Sequence, residues 1–260
     1  MNAYGQLRDI QSSISIGCDP RQDLRSDLEG LLIAAEGPPV LRVYSWDFPV
    51  SVIGCHQPLD DVDLAFCRAN SIPVLRRGSG GRGVIHHGDL GVSLALPVSH
   101  PWAGGIRKLY HAFGVAMAET LQNLGFPVAL LQGDAGGPDS PVCFEHHGHD
   151  GLYLEDKRVF GSAQVRRQTA VMIHGTLLLG FDADLHSSVF GPGPARLRQR
   201  ITSLGAAHRR HEIAFEIVES LSARVVDTGI EEANDTWGGR LPAGLAATDE
   251  GGAHATNDDL

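Results

Sequence analysis

The sequence has 260 residues, 42% of them hydrophobic and 20% charged, so it can bury one substantial core or two small ones. It contains no apolar run of membrane-spanning length, and its N-terminus, MNAYGQLRDIQSS, lacks the pattern of a secretory signal, which predicts a soluble, cytoplasmic protein. The formal net charge of -10 at pH 7 argues against wholesale binding to nucleic acid, so an anionic ligand has to meet a local group of cations.

Helices and strands follow one another along the first half of the chain, which predicts one domain of the α/β or α+β class over residues 1–230. A first helix carries its apolar residues on one face, at Leu24, Leu28, Leu31 and Leu32. Two short β-rich runs follow around Asp47 and Pro49. They predict a strand pair.

The second half begins with a helix whose apolar residues recur at helical spacing and which stops at Gly125. Those residues are Ile106, Leu109, Phe113, Met117, Leu121 and Leu124. β-branched residues then predict two strands around a polar turn near Arg167 and Gln168. A last amphipathic helix is predicted on Ile213, Ile217, Val218 and Leu221. Residues 231–260 contain too few large apolar residues to fold alone, and a disordered tail is predicted there.

The glycine loop, residues 76–83 with the sequence RRGSGGRG, contains more glycine than a hairpin turn needs. Glycine permits positive φ and close approach of the backbone to a ligand, and Arg76, Arg77 and Arg82 add charged donors. A flexible surface loop with solvated arginines is an equally good interpretation of the composition. The loop matches neither a P-loop nor a dinucleotide-binding pattern.

The cysteines are Cys18, Cys55, Cys67 and Cys143, without any C-x-x-C pair, which indicates reduced thiols and no structural zinc site. Cys143 precedes a cluster of histidines, and with Arg158 these could stabilise a nucleophilic thiolate. On composition alone, a buried structural cysteine is the commoner case. The cluster, His146, His147 and His149, could also bind a metal, but its spacing lacks an obvious further ligand and we expect none.

Two motifs far apart in the sequence resemble one known family. RRGSGGRGVIHH resembles R-R-x-[ST]-G-G-[RG]-[AG]-V-x-H-D, and KRVFGSAQVRRQTAVMIHGTLLL resembles K-[IV]-x-G-[ST]-A-Q-x-R followed by H-G-[ST]-[IL]-L-L. Gly54 and Gln57 match an upstream G-x-x-Q element. These motifs are similar to those of lipoate-protein ligases, octanoyltransferases and biotin-protein ligases, over residues 27–204. The resemblance implies a mixed, largely antiparallel sheet flanked by helices.

The resemblance also implies an acyl or acyl-adenylate site between the two motifs. Its expected residues are Arg76, Arg77, Ser79, Gly80, Gly81, Arg82, Gly83, His86, Gly161, Ser162, Ala163, Gln164, His174 and Gly175. Taken singly, His86 and His174 are more often core histidines than catalysts. Their positions in the motifs are what make them expected pocket residues.

The position of the cysteine separates branches of this family. In the LipM-type octanoyltransferase branch, a C-F pair lies fifteen residues before the motif lysine. Cys143 and Phe144 match that arrangement relative to Arg158, and no cysteine follows His174. The resemblance therefore implies a Cys143 thioester that needs no cofactor. An acyl carrier protein would be the donor, and the acceptor would be a lipoyl domain of a 2-oxoacid dehydrogenase or the glycine cleavage H protein.

One residue departs from the pattern, because Arg158 stands where family members have lysine. Lys157 lies one position earlier, and neighbouring side chains of a strand face opposite sides. Arginine can donate hydrogen bonds but cannot relay a proton near neutral pH. Three functions therefore stay open: Cys-dependent acyl transfer involving Cys143, Arg158 and Lys157; lipoate ligation with ATP and Mg; and non-catalytic binding of an acyl group or lipoyl domain.

Overall fold

The structure, a computed structural model, describes residues 10–131, 139–146 and 150–227. Its strands are β1 (Gln11–Ile16), β2 (Val40–Ser45), β3 (Val50–Ile53), β4 (Val74–Arg76), β5 (Val84–His86), β6 (Leu90–Pro97), β7 (Val128–Leu131), β8 (Gly151–Leu154), β9 (Lys157–Arg166) and β10 (Ala170–Leu177). Its α-helices are α1 (Pro20–Glu36), α2 (Leu64–Ala69), α3 (Ile106–Asn123), α4 (Ala183–Phe190), α5 (Pro194–Arg200) and α6 (Arg210–Val226).

The strands form a large and a small sheet. The large sheet has seven strands in the order β1-β2-β6-β10-β9-β8-β7, and its neighbours are antiparallel except for β1 and β2. The small sheet has the order β4-β3-β5. The predicted class, a mixed and largely antiparallel sheet flanked by helices, is confirmed. The two strands predicted around residues 167 and 168 are β9 and β10, which pair antiparallel.

The strand pair predicted around Asp47 and Pro49 is wrong. Both strands form, as β2 and β3, but β2 belongs to the large sheet and β3 to the small one. The carbonyl of Trp46 accepts a hydrogen bond from the amide of Gly88, in the turn between β5 and β6. Proline at position 49 has no amide hydrogen to offer to a partner strand. The chain therefore leaves one sheet and enters the other instead of folding back.

Helices cover both faces of the large sheet. α3 and α6 pack on one face, and the four residues predicted for the last helix are all buried there. The predicted helix from Ile106 is α3, and the chain turns after it at Gly125 with φ of +89°. α1 packs on the opposite face.

The buried face of α1 differs from the prediction, because it is partly polar. Leu28 and Leu32 are 41% and 72% exposed, whereas Asp23 and Asp27 are buried. Both carboxylates bind the guanidinium of Arg42 on β2, at 2.6 Å each. Periodicity placed the apolar stripe toward the core, but this ion pair turns the helix so that part of the stripe faces solvent.

The predicted tail, residues 231–260, lies outside the described residues. Within the part of the chain that the structure describes, no helix is both long and apolar enough to cross a membrane.

Candidate active site

An open cavity lies between the two sheets, and its empty space of about 460 Å³ includes solvent outside the mouth. The large sheet contributes Tyr44, Gly161, Ser162, Ala163, His174, Gly175 and Thr176. The rest of the wall is Leu24, Val52, Arg77, Val84, His86, Cys143 and Phe144. The two motifs of the sequence thus meet at one cavity.

The glycine loop is held by a buried arginine from within its own sequence. Arg77 Nε donates to Ser79 Oγ at 3.0 Å, and its Nη2 donates to the carbonyls of Gly80 and Arg82 at 2.7 and 2.9 Å. Gly81 has a φ of +96°, and a Cβ there would lie 2.8 Å from Arg77 Nη2. Glycine is therefore required at position 81 so that the loop can close around the guanidinium.

The other two arginines of the loop also have partners within the protein. Arg76 Nη1 donates at 2.6 to 3.1 Å to the carbonyl oxygens of Gly54, Cys55 and Gln57. Arg82 contacts the carboxylates of Asp61 and Asp139 at 3.4 and 3.3 Å. These two residues, expected at an acyl or phosphate site, lie outside the cavity wall and fix the loop to neighbouring segments.

A short hydrogen bond joins the glycine loop to the second motif. Ser79 Oγ accepts from Arg77 Nε and lies 2.5 Å from His174 Nε2 on β10, so we assign the hydroxyl proton to this second contact. Burial and the nearby Arg77 guanidinium lower the pKa of His174 to about 3. Burial, Arg77 and His174 also lower the pKa of His86 to about 3. Both histidines are therefore neutral polar groups of the wall at physiological pH.

Cys143 lies in a short turn, residues 140–146, called the cysteine turn. Its amide donates to the carbonyl of Gly83 at 2.8 Å, and the amide of Gly83 donates to Pro141 at 2.8 Å. The end of the glycine loop and the cysteine turn thus form a two-bond ladder. The thiol is partly buried in the cavity wall, and Phe144 packs beside it.

Arg158 holds the cysteine turn through hydrogen bonds to its backbone. Its side chain is buried, and Nη1 donates to the carbonyls of Cys143 and His146 at 3.3 and 2.5 Å. Its Nε donates to the carbonyl of Phe160 at 3.2 Å. A Cβ at Gly161 would lie 2.7 Å from Arg158 Nη2, so the glycine of the second motif makes room for this guanidinium.

Lys157 precedes Arg158 on β9 and is partly exposed, whereas Arg158 is 3% exposed. The two residues pair with Leu154 and Tyr153 of β8. Neighbours on a strand face opposite sides. The lysine therefore points away from the buried guanidinium.

Some expected site residues lie away from the cavity, and others were missed. Gln164 Nε2 donates to the carbonyl of Ile106 at 2.9 Å, so it joins β9 to α3 instead of lining the cavity. Gly80, Gly81 and Gly83 support the loop without lining the wall. The wall residues not predicted are Leu24, Tyr44, Val52, Val84, Phe144 and Thr176. Val84, Phe144 and Thr176 lie within the family motifs, whereas Leu24, Tyr44 and Val52 come from elements that no local motif connects with the cavity.

The histidine cluster falls partly outside the described residues, because His147 and His149 are not described. His146 Nε2 lies 2.9 Å from the carbonyl of Ser140, which can only accept, so this nitrogen carries a proton. Among the described residues, no three His, Cys, Asp or Glu side chains are grouped to hold a metal ion.

Comparison with known proteins identifies the family. The model of the lipoyl protein ligase A/B catalytic domain matches residues 27–225. Octanoyltransferase LipM of Moorella thermoacetica is 32% identical over 223 residues, which cover 83% of this chain and 80% of that protein. LipM of Carboxydothermus hydrogenoformans is 33% identical over 190 residues, covering 70% of this chain and 71% of that protein.

Solved structures agree on the fold. A lipoate-protein ligase A bound with ATP superposes with a TM-score of 0.66 at 20% identity, over 85% of this chain and 92% of that one. The chain therefore belongs to the lipoyl protein ligase A/B catalytic domain family, as its motifs predict. It is an enzyme of a family whose named members include octanoyltransferases and lipoate-protein ligases.

Proposed function

We propose that the protein is an octanoyltransferase that holds the acyl group as a thioester on Cys143 and passes it to a lysine of a lipoyl domain. The observation that carries this proposal is the position of Cys143. Its thiol belongs to the wall of a cavity formed by both family motifs, on a turn that is hydrogen-bonded to the glycine loop. The LipM relatives support the choice of octanoyl transfer within the family.

The wall of the cavity is long enough to lie along a chain of medium length. Its wall extends from β9 past β10 and β6 to Tyr44 on β2, and three strand spacings amount to about 14 Å. An extended chain advances about 1.2 Å per bond, so the seven bonds between the carbonyl carbon and the last carbon of an octanoyl group span about 8 Å. The chain can lie across the strands, with its carbonyl near Cys143 and its end toward Tyr44.

The reaction needs two substitutions at the acyl carbon. The Cys143 thiol gives up its proton, its thiolate attacks the donor thioester, an S–C bond to Cys143 forms, and the donor leaves as a thiolate that takes up that proton. The amine of the acceptor lysine then attacks, an amide bond forms, and Cys143 leaves as thiolate. The amine loses one proton and the thiolate gains one, so the second step needs no net acid or base.

Arg158 replaces the motif lysine without taking over a proton relay. A guanidinium stays protonated at neutral pH, and its Nε and Nη1 are bound to carbonyls of the cysteine turn and β9. We assign Arg158 the role of fixing the turn that carries the nucleophile. Lys157, on the other side of the strand, has no part in the chemistry.

The proposed partners are a carrier protein that delivers an octanoyl thioester and a lipoyl domain that receives the group. A solved structure of the bi-partite lipoate protein ligase of Thermoplasma acidophilum, from a study of this ligase and its E2 lipoyl domain, has the same fold. The TM-score is 0.57 at 20% identity, over 85% of this chain. A lipoyl domain as acceptor is in keeping with that relationship. No nucleotide takes part in the proposed reaction.

Intact mass spectrometry tests the proposal. The protein is incubated with octanoyl-acyl carrier protein, without ATP, and should gain the mass of one octanoyl group that hydroxylamine removes. Cys143→Ser should not gain a hydroxylamine-labile group, and Cys55→Ser, at a partly exposed thiol near the glycine loop, should behave as the unaltered protein. Adding a lipoyl domain should then move the group to one lysine.

Two results would replace this function. Modification of the lipoyl domain that needs ATP and free octanoate or lipoate, and that survives Cys143→Ser, would make the protein a ligase. Octanoate or lipoyl-domain binding without any transfer under either condition would make it a binding protein.

A further inference from the structure

A second arginine, Arg196 of α5, also binds the cysteine turn. Glu145 lies two residues after the nucleophile, and its side chain is fully buried. Arg196 of α5 donates to both of its oxygens, from Nε to Oε1 at 2.6 Å and from Nη2 to Oε2 at 3.1 Å. A bidentate pair of this kind fixes the direction of both side chains as well as their distance.

Glu145 passes this restraint to the rest of the turn through Ser140. The Ser140 hydroxyl donates to Glu145 Oε2 and accepts from the amide of Val142 at 3.1 Å. The carbonyl of Ser140 accepts from His146 Nε2 at 2.9 Å. Residues on both sides of Cys143 are thereby tied to one carboxylate.

The ion pair is one of several contacts that hold the turn. The ladder with Gly83 and the guanidinium of Arg158 already bind the backbone of the turn. Burying a carboxylate costs free energy unless a partner compensates it, and an apolar pair of similar size is often as stable. A charged pair at this place is explained if it sets the direction of the neighbouring thiol.

We propose that Glu145 and Arg196 are positioning residues of the acyl transfer: their ion pair orients the cysteine turn so that the Cys143 thiol points into the acyl cavity. The proposal rests on the function proposed above. It gives α5, a helix outside both family motifs, a direct connection to the nucleophile.

The test uses three variants of the full chain. The double variant Glu145→Gln/Arg196→Met removes the carboxylate and the guanidinium together, so no buried charge loses its partner. Arg196→Lys keeps the positive charge but loses the two parallel hydrogen bonds that a guanidinium can donate to a carboxylate. Arg198→Met is the matched control, because Arg198 lies on the same helix and pairs with Asp184, whose side chain is 69% exposed.

Two readouts separate positioning from simple stability, after thermal unfolding has shown that each variant is folded at the assay temperature. The first is single-turnover acylation of Cys143 by octanoyl-acyl carrier protein. The double variant should lose about 100-fold in rate, the cost usual for misplacing a reacting group by about 1 Å, with little change in KM. Arg196→Lys should recover to within about tenfold of the unaltered protein, and Arg198→Met should match it.

The second readout is the rate of Cys143 alkylation by iodoacetamide as a function of pH, which needs no acyl donor. We expect the profile to change in the double variant and to stay the same in Arg198→Met. A folded double variant with unaltered acylation and an unaltered alkylation profile would overturn the positioning role. If the unaltered protein is never acylated but its alkylation profile still depends on the pair, the proposed function fails and the positioning of the thiol stands.

Discussion

The glycine loop and the cysteine turn form two neighbouring parts of one cavity wall, and arginine holds both, but from different places in the chain. Arg77 belongs to the loop that it organises and binds the carbonyls of Gly80 and Arg82. The cysteine turn contains no arginine and is bound by Arg158 of β9 and Arg196 of α5. The centre of the loop is therefore held by an arginine of its own sequence, whereas the cysteine turn depends on arginines of the sheet and of α5.

This difference has a consequence for function. Because the cysteine turn is supported from elsewhere, its geometry can be altered by changes far from Cys143 in the sequence. Substitutions at the arginines should therefore have unequal effects on stability and on acyl transfer.

The largest effect is expected for Arg158→Ala. Three buried carbonyls lose a charged donor, so the free energy of unfolding should fall by about 3 kcal/mol, and Cys143 acylation should fall about 100-fold because the turn is no longer fixed. Arg158→Lys should recover part of the stability and part of the acylation rate, because lysine keeps a positively charged donor but cannot bind several carbonyls as the guanidinium does. Urea unfolding and single-turnover acylation measure the two quantities. Full activity in Arg158→Ala would show that the turn does not need the support of Arg158.

Arg77→Met should come next, with a loss of about 2 kcal/mol in unfolding free energy, because buried carbonyls of the glycine loop lose their donor. Hydrogen exchange should speed up at residues 78–83 and stay slow in α6, which packs elsewhere. Acylation should fall less than in Arg158→Ala. An equal increase in the exchange rate of residues 78–83 and of α6 would contradict the view that Arg77 acts locally.

His174→Gln tests the link between loop and sheet through pH. The folded-state pKa of His174 is about 3 and the unfolded value is near 6.5, so the unfolded chain binds the proton first. The stabilising contribution is complete above pH 6.5 and is lost as the pH falls toward 3, at about 1.4 kcal/mol per pH unit. Urea unfolding from pH 4 to 7 should show a slope shallower by about that amount in the variant. An unchanged slope would mean that folding does not lower the pKa of His174.

Lys157→Ala should have the smallest effect, within about 0.5 kcal/mol in stability and without loss of acyl transfer, because the side chain is partly exposed on the face away from Arg158. It is the natural control for Arg158→Ala, one residue away on the same strand. If Lys157→Ala abolishes transfer while Arg158→Ala is silent, Lys157 is the family lysine after all and the register assigned to the motif is off by one.

Most of what the sequence could predict about the site came from the two family motifs. The residues of the glycine loop are contiguous, so one short motif predicts where they lie together. The helices α3 and α6 follow from helical periodicity, and the strands β9 and β10 follow from their β-branched residues. The placement of the family motifs on the two sides of one cavity also agrees with the structure.

What the sequence could not predict depends on contacts between distant segments. Glu145 and Arg196 are 51 residues apart, and no local pattern marks them as a pair. The polar face of α1 depends on Arg42, which lies on a strand beyond the helix. β2 and β3 were predicted correctly as strands, but their separation into two sheets depends on the hydrogen bond between Trp46 and Gly88.

The carboxylate of Asp27, on the polar face of α1, and the buried histidines of the cavity respond to acid in opposite senses. Burial raises its pKa to about 6, although Arg42 and the hydroxyl of Tyr44 oppose that shift. The folded protein therefore takes up this proton before the unfolded chain does, and stability contributed by Asp27 is complete below about pH 4 and declines up to pH 6. The buried histidines respond in the opposite sense, because the stability that they contribute is lost as the pH falls over an overlapping interval. As the pH falls, the buried histidines therefore oppose folding, whereas protonation of Asp27 removes the cost of burying its charge and favours folding.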